Sequence, residues 1–236
     1  MSSDIRWDSH LNFGEMSRRA LRKAEPGEVH EIRCPDVYVG RLCDLPPLLR
    51  TDHLGRWQFS DSADARHTRP DCRCVVMVLE SPHVDEFDPT HCYTPWPANG
   101  LTGAAIQRNA LQMSEVLKVP RDTGLVLFNA IPYQCSQVRI GKKSEWKERR
   151  DLIFSHCWAQ DATKALFRAR LRHWVKPGDV VVNACTAGLQ SKPKLRDLVE
   201  AEMTGLFGAA VIRFRMHHPA GWRSKHLADH VLDSSI

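Results

Sequence analysis

Nowhere along the chain do about 18 apolar residues run together, the length a helix needs to cross a bilayer. The first residues, Met-Ser-Ser-Asp-Ile-Arg-Trp, hold no basic segment followed by an apolar one. The expectation is a soluble, cytoplasmic protein with no membrane partner. There is no internal repeat and no low-complexity tract, so the chain reads as one ordinary globular core rather than a solenoid or a disordered linker. Cys-x-x-Cys is missing ahead of the first strong strand, and the spacings of the eight cysteines suit neither zinc nor an iron–sulfur cluster. They read as thiols, most of them small hydrophobes, and no cofactor is expected.

What is present is 236 residues of which 42% are apolar, enough for a single core. Lys and Arg number 33 against 28 Asp and Glu, and the formal charge of +5 is compatible with a polyanionic partner. Residues 1–70 read as an N-terminal extension packed on the core, largely loop, with a short basic helix near Ser17 to Ala24 and a short strand at Val37-Tyr38-Val39. Residues 71–236 form the main domain. Its first element, Val75 to Leu79, is an uninterrupted β-branched run of the kind buried on both faces in a parallel sheet. Further apolar strands are predicted over 124–129, 179–184 and 209–216. Helices are predicted over 104–117, 146–158, 162–175, 194–206 and 224–232. Strands alternating with helices describe an α/β fold, a three-layer α/β/α sandwich around a short, mostly parallel four-stranded sheet.

In such sheets ligands bind beyond the carboxyl ends of the strands. The first strand ends in Glu80-Ser81-Pro82-His83, followed by Asp85 and Glu86; the second ends in Asn129; the fourth delivers His217-His218-Pro219. These groups suit cleavage of a base from a nucleotide. A carboxylate can position water and face a sugar with oxocarbenium character, a histidine can stabilise the departing base anion, and an asparagine amide can read a pyrimidine edge. Each also has an ordinary structural use: a solvated acidic turn, a turn-capping Asn129, an exposed loop histidine. The basic run Arg139 to Lys147, with Lys142 and Lys143, followed by Arg149 and Arg150, is either a solvated face or a phosphate-tracking patch. Trp146, Trp158 and Trp174 read as core residues.

Taken in order, these segments resemble the uracil-DNA glycosylase superfamily over roughly residues 74–232. Leu79-Glu-Ser-Pro-His-Val-Asp-Glu86 is similar to that family's first motif, with Glu80, Pro82, Asp85 and Glu86 on like residues. Gly100-Leu-Thr-Gly103 is similar to the glycine-rich segment of its cluster-containing branch, Asn129 to the second-strand asparagine, and His218-Pro219-Ala220 to the late His-Pro-Ser motif. The resemblance implies that Glu80, Ser81 and Asp85 lie around the attacking water. It makes Glu80, Asp85 and His218 catalytic. Ser81, Pro82, His83, Asn129 and Ala98 would then line the base, with Asn129 reading it. Gly100, Thr102, Gly103, Trp222, Arg223, Lys142 and Lys143 would meet the DNA, with Trp222 as the wedge left in the duplex and Arg223 on a phosphate or the orphaned base.

Two departures carry information. Ser81 stands where several branches have an Asp or Asn, so water activation falls to Glu80 or Asp85. Ala98 stands near the aromatic residue that stacks on uracil, with Tyr93 or Trp96 as substitutes, and a pocket without that wall admits a larger base. The resemblance therefore implies a glycosylase acting on a flipped, modified pyrimidine, foremost glucosylated hydroxymethylcytosine of phage DNA, leaving abasic sites as an antiviral defence. Ordinary uracil excision in repair, a non-catalytic DNA or nucleotide binder, and a hydrolase of free nucleosides are the competing expectations.

Overall fold

The structure is a computed structural model that describes residues 33–45, 67–87, 95–135, 143–189, 193–207, 211–222 and 226–235. Within them lie six strands: β1 Val37–Arg41, β2 Cys74–Leu79, β3 Gly124–Asn129, β4 Val180–Asn183, β5 Ile212–Met216 and β6 Val231–Ser235. They form one sheet in the order β1-β3-β2-β4-β5-β6. β2 is parallel to both β3 and β4, and β4 to β5, while β1 and β6 are antiparallel additions at the two edges. The fold is α/β with a mixed six-stranded sheet rather than the four strands expected.

The two additional strands stood outside the expected sheet for different reasons. β1 is the short strand read at Val37-Tyr38-Val39, whose sequence names no partner; it extends to Arg41, pairs with β3 and covers that edge. β6 occupies part of the segment 224–232 expected to be helical. There the chain forms a 3-10 turn, Leu227–His230, and then pairs with β5, matching Val231 to Met216. Closing the exposed ladder of β5 prevails over a weak helical pattern.

The described helices are α1 Leu101–Arg108, α2 Ala110–Val116, α3 Lys143–Trp158, α4 Asp161–Trp174 and α5 Leu195–Thr204. The single helix expected over 104–117 is broken at Asn109, whose side-chain amide donates to the Ala105 carbonyl at 2.7 Å. All six residues of β2, of β3 and all four of β4 are buried, as near-continuous apolar runs require in a parallel sheet. Alternation then splits them between two cores. Val76, Val78, Phe128 and Val181 pack under α3, α4 and α5. Met77, Leu79, Leu127 and Val182 pack under α1 and α2. Full burial of each such side chain is worth about 1.5–3 kcal/mol. Trp158 and Trp174 lie in the first core, where Phe128, Phe154, Trp158 and Phe167 form a chain of ring contacts at 5.1–5.7 Å. No described helix is long and apolar enough to cross a membrane.

Candidate active site at the carboxyl edge of the sheet

The connection leaving β2 runs to the α1/α2 face, whereas those leaving β3 and β4 run to the opposite face. Such divergence marks a topological switch point at the carboxyl end of β2, the place where α/β sheets bind ligands. Main-chain bonds tie the strand ends together there. Ala130 N donates to Leu79 O at 2.8 Å, Ile131 N to Glu80 O at 3.0 Å, and Ala184 N to Val78 O at 2.9 Å. Asn129, Glu80 and His218 therefore stand at the same edge, on β3, β2 and β5 respectively.

Glu80 is 7% exposed. Its Oε1 lies 3.2 Å from Arg150 Nη1, and its Oε2 accepts from Thr186 N at 3.3 Å. Burial raises its pKa above the ordinary value, with Arg150 acting in the opposite direction. Arg150 also donates through Nε and Nη2 to Asp151 Oδ1, at 2.9 and 2.6 Å, and Asp151 Oδ2 accepts from Leu189 N. A buried Arg-carboxylate cluster thus ties α3 to the ends of β2 and β4.

His218 belongs to the same electrostatic neighbourhood. Burial lowers its pKa to about 4, and repulsion from Arg150 and Arg196 adds to the shift, so at neutral pH the imidazole is uncharged. Ala220 N donates to His218 Nδ1 at 3.3 Å, which leaves the proton on Nε2, a nitrogen with no protein acceptor among the described residues. Pro219 begins a 3-10 turn, Pro219–Gly221, capped by His218. The adjacent His217 is exposed, its ring 5.9 Å from that of His230.

Asn129 is 1% exposed. Its Nδ2 donates to Cys34 Sγ at 3.7 Å, and Cys34 Sγ donates to Glu86 Oε2 at 3.9 Å. Burial, then Glu86 and Asp36, push the Cys34 thiol well above its ordinary pKa, so it keeps its proton. Asn129 Oδ1 is buried with no hydrogen-bond partner among the described residues. Behind it, Arg170 pairs with Asp36, donates to Asn129 O at 2.9 Å, and lies 4.2 Å over the Phe128 ring. Glu86 is a buried member of this seam rather than part of a solvated turn.

The remaining expected residues divide. Ser81 lies beside the Cys135 thiol, Pro82 is buried, and the half-buried His83 acts electrostatically on Glu80. Ala98 is buried in the α1/α2 core with φ 57°, a left-handed conformation costly for a residue with a Cβ. Trp96 beside it is stacked with His67 at 6.0 Å. Gly100, at φ 147°, turns the chain into α1, where Thr102 is half-buried and Gly103 buried. The start of α1 packs against the Pro219–Gly221 turn, which brings the glycine-rich segment to His218. Trp222 does not project as a wedge. It is 4% exposed, donates from Nε1 to His217 O at 2.8 Å, and packs in the α1/α2 core, because a ring so close to the strand end gains more from burial than from solvent. Asp85 sits in the 3-10 turn Val84–Phe87 and Lys143 opens α3, but their side chains lie outside the described residues. Tyr93, Lys142 and Arg223 lie outside them altogether.

Sequence reasoning missed Arg150, Asp151, Thr186, Cys34, Arg170 and Arg196. The signal for Arg150 was available: stepping back from the buried Ile153, Phe154 and Cys157 at helical spacing puts residue 150 on the inner face. Arg196 follows likewise from Val199 and Met203. Among the described residues no three His, Cys, Asp or Glu side chains are grouped as metal ligands. No protein-family model, curated protein or solved structure matches the chain.

Proposed function

We propose that the chain is a monofunctional DNA glycosylase of the uracil-DNA glycosylase type, hydrolysing the N-glycosidic bond of a pyrimidine nucleotide extruded from DNA. The observation that carries this reading is that Glu80, paired with Arg150, and His218, 138 positions away in sequence, stand at the same carboxyl edge of the sheet, at the ends of β2 and β5, with the Arg150 charge acting on both. Four parallel central strands with helices on both faces agree with the short parallel sheet that the resemblance implies.

In this mechanism the Glu80 carboxylate, held by Arg150 and Thr186, faces C1′ as positive charge develops on the sugar and holds the attacking water with Asp85. Water adds to C1′ and gives up one proton to the carboxylate that holds it, while the C1′–N1 bond breaks and its electron pair leaves with the base. An uncharged His218 keeps its proton and donates a hydrogen bond from Nε2 to the base oxygen where that charge collects. Asn129, with Oδ1 uncommitted, reads the base edge.

For the substrate we propose a modified pyrimidine, best represented by glucosylated hydroxymethylcytosine in phage DNA, with antiviral defence as the role. The support comes from the sequence: Ala98 falls near the family's stacking aromatic, and a pocket without that wall admits a bulkier base. Uracil excision in repair is the alternative. The test is incubation with duplexes carrying uracil, glucosylated hydroxymethylcytosine or unmodified bases, followed by alkali. Breaks at the glucosylated positions support the reading, and breaks at uracil alone replace the substrate.

A second reading, a DNA or nucleotide binder without catalysis, is favoured by one feature: both Glu80 oxygens already have protein partners. Glu80→Gln separates the two. Loss of base release with affinity retained supports the enzyme.

A further inference from the structure

Arg196 is the residue at the carboxyl edge of the sheet that base excision leaves without a task. It lies in the first turn of α5 and is only 6% exposed, yet it makes no ion pair among the described residues. Its Nε donates to Cys185 O at 2.9 Å, which anchors one side of the guanidinium and leaves both Nη groups without a protein acceptor among those residues. The acids nearest to it are committed: Asp197 pairs with Arg215, and Glu200 accepts from Asn183 Nδ2 at 2.7 Å.

The other arginines in or beside the two cores are treated differently. Arg69 pairs with Asp179, Arg150 with Glu80 and Asp151, and Arg170 with Asp36. An uncompensated buried cation is costly. Of these four described arginines three hold a carboxylate of their own, and Arg196, joined through Thr186 to the Glu80 carboxylate, is left for an anion that comes from outside. The helix terminus is not that receptor. The N–H groups of Leu195 and Arg196 are turned onto Ala187 O and Thr186 O, and those of Asp197 and Leu198 onto Lys194 O. Burial, then Arg215, lower the pKa of Arg196 from its ordinary value, while Asp197 and Glu200 act in the opposite direction.

We propose that Arg196 receives the phosphodiester next to the extruded nucleotide, its two Nη groups forking onto the non-bridging oxygens beside His218. The inference rests on the glycosylase reading and names a phosphate contact within it. Planar donor pairs match two-oxygen anions. The departing base anion has the same charge and is the other source the test must separate.

The probe is a duplex with a tetrahydrofuran abasic analogue, titrated against the full chain by fluorescence anisotropy at several salt concentrations. In parallel duplexes an uncharged methylphosphonate replaces the phosphate on one or the other side of the analogue. Arg196→Gln is expected to weaken binding roughly tenfold or more and to reduce the slope of log affinity against log salt by about one. One methylphosphonate duplex is expected to weaken the wild-type protein as much and to leave Arg196→Gln unchanged. Arg196→Lys, which keeps the charge and loses the fork, is expected to retain the salt slope with intermediate affinity, and its thermal unfolding checks the fold. Wild-type affinity and slope in Arg196→Gln overturn the proposal. So does a full Arg196→Gln defect on both methylphosphonate duplexes, which assigns the charge to the base. Failure of the glycosylase reading looks different: the abasic duplex is then bound no more tightly than a plain one, and no base is released.

Discussion

Arg150 Nη1 lies 3.2 Å from Glu80 Oε1 while the opposite side of the same guanidinium grips Asp151, so one side chain from α3 holds the acid at the end of β2. Both Glu80 and Arg150 are under a tenth exposed. Removing one partner of a buried ion pair leaves the other charge uncompensated. Arg150→Ala is expected to lower unfolding free energy by about 3–5 kcal/mol, measured by urea denaturation. A loss below 1 kcal/mol, roughly what an exposed pair contributes, contradicts the buried cluster.

The pH dependence has a definite sign. His218 has a folded pKa of about 4 against an ordinary 6.5, so the unfolded chain takes up a proton that the folded chain refuses. Its contribution to stability is complete above pH 6.5 and is lost as the pH falls towards 4. Glu80 is shifted upward, so on acidification it is protonated more readily in the folded chain and acts in the opposite sense. In the proposed base release, Glu80 is expected to set the acid limb, above its ordinary 4.5, and His218 to add no inflection near 6.5. A pH–rate profile checks this. A limb near 6.5 that His218→Asn removes contradicts it.

Cys34 fixes the orientation of the Asn129 amide. With its own S–H directed to Glu86, the sulfur accepts from Nδ2 and turns Oδ1 away as an acceptor. Cys34→Ala is expected to raise KM and to relax discrimination between pyrimidines by roughly tenfold, with kcat largely retained. Kinetics on two competing bases measure it. An unchanged ratio of kcat/KM values shows that the thiol has no part in base choice.

Much of the fold was legible because β2, β3 and β4 are buried on both faces, so their apolar runs announce themselves. At the edges, β1 was legible as a short strand but not as a member of this sheet, and β6 was not legible at all, because it exists through pairing with β5 rather than through its own composition. At the site, Glu80, Asn129 and His218 could be chosen because they end strands. Their supports could not. Arg150 sits in a run of basic residues that looks solvated until its phase against Ile153 is counted, and Cys34 reaches Asn129 across 95 positions. Trp222 failed for the converse reason: loop position suggested exposure, whereas the turn after Pro219 folds the ring inward.

Trp222 and Leu101 are expected to respond differently to truncation. Truncation of the buried indole, Trp222→Ala, should cost about 3–5 kcal/mol of stability. Leu101 is 59% exposed at the start of α1, the helix that packs against the Pro219–Gly221 turn. In the proposed glycosylase such an exposed apolar side chain is a candidate for contact with the duplex: Leu101→Ala should leave stability within about 0.5 kcal/mol yet slow excision from duplex DNA more than from a single strand. Thermal unfolding beside rates on the two substrates distinguishes the outcomes. Equal slowing on both substrates shows that Leu101 has no part specific to the duplex.

The most direct measurement is detection of the released base by mass spectrometry after single-turnover incubation with DNA bearing glucosylated hydroxymethylcytosine, run in parallel for wild type, Glu80→Gln and His218→Asn. The expected result is stoichiometric free modified base from the wild-type protein, with release slowed at least about a hundredfold in each variant while both remain folded and bind DNA. Release that is equal in all three proteins, or no base released from that DNA or from uracil-containing DNA, contradicts the account.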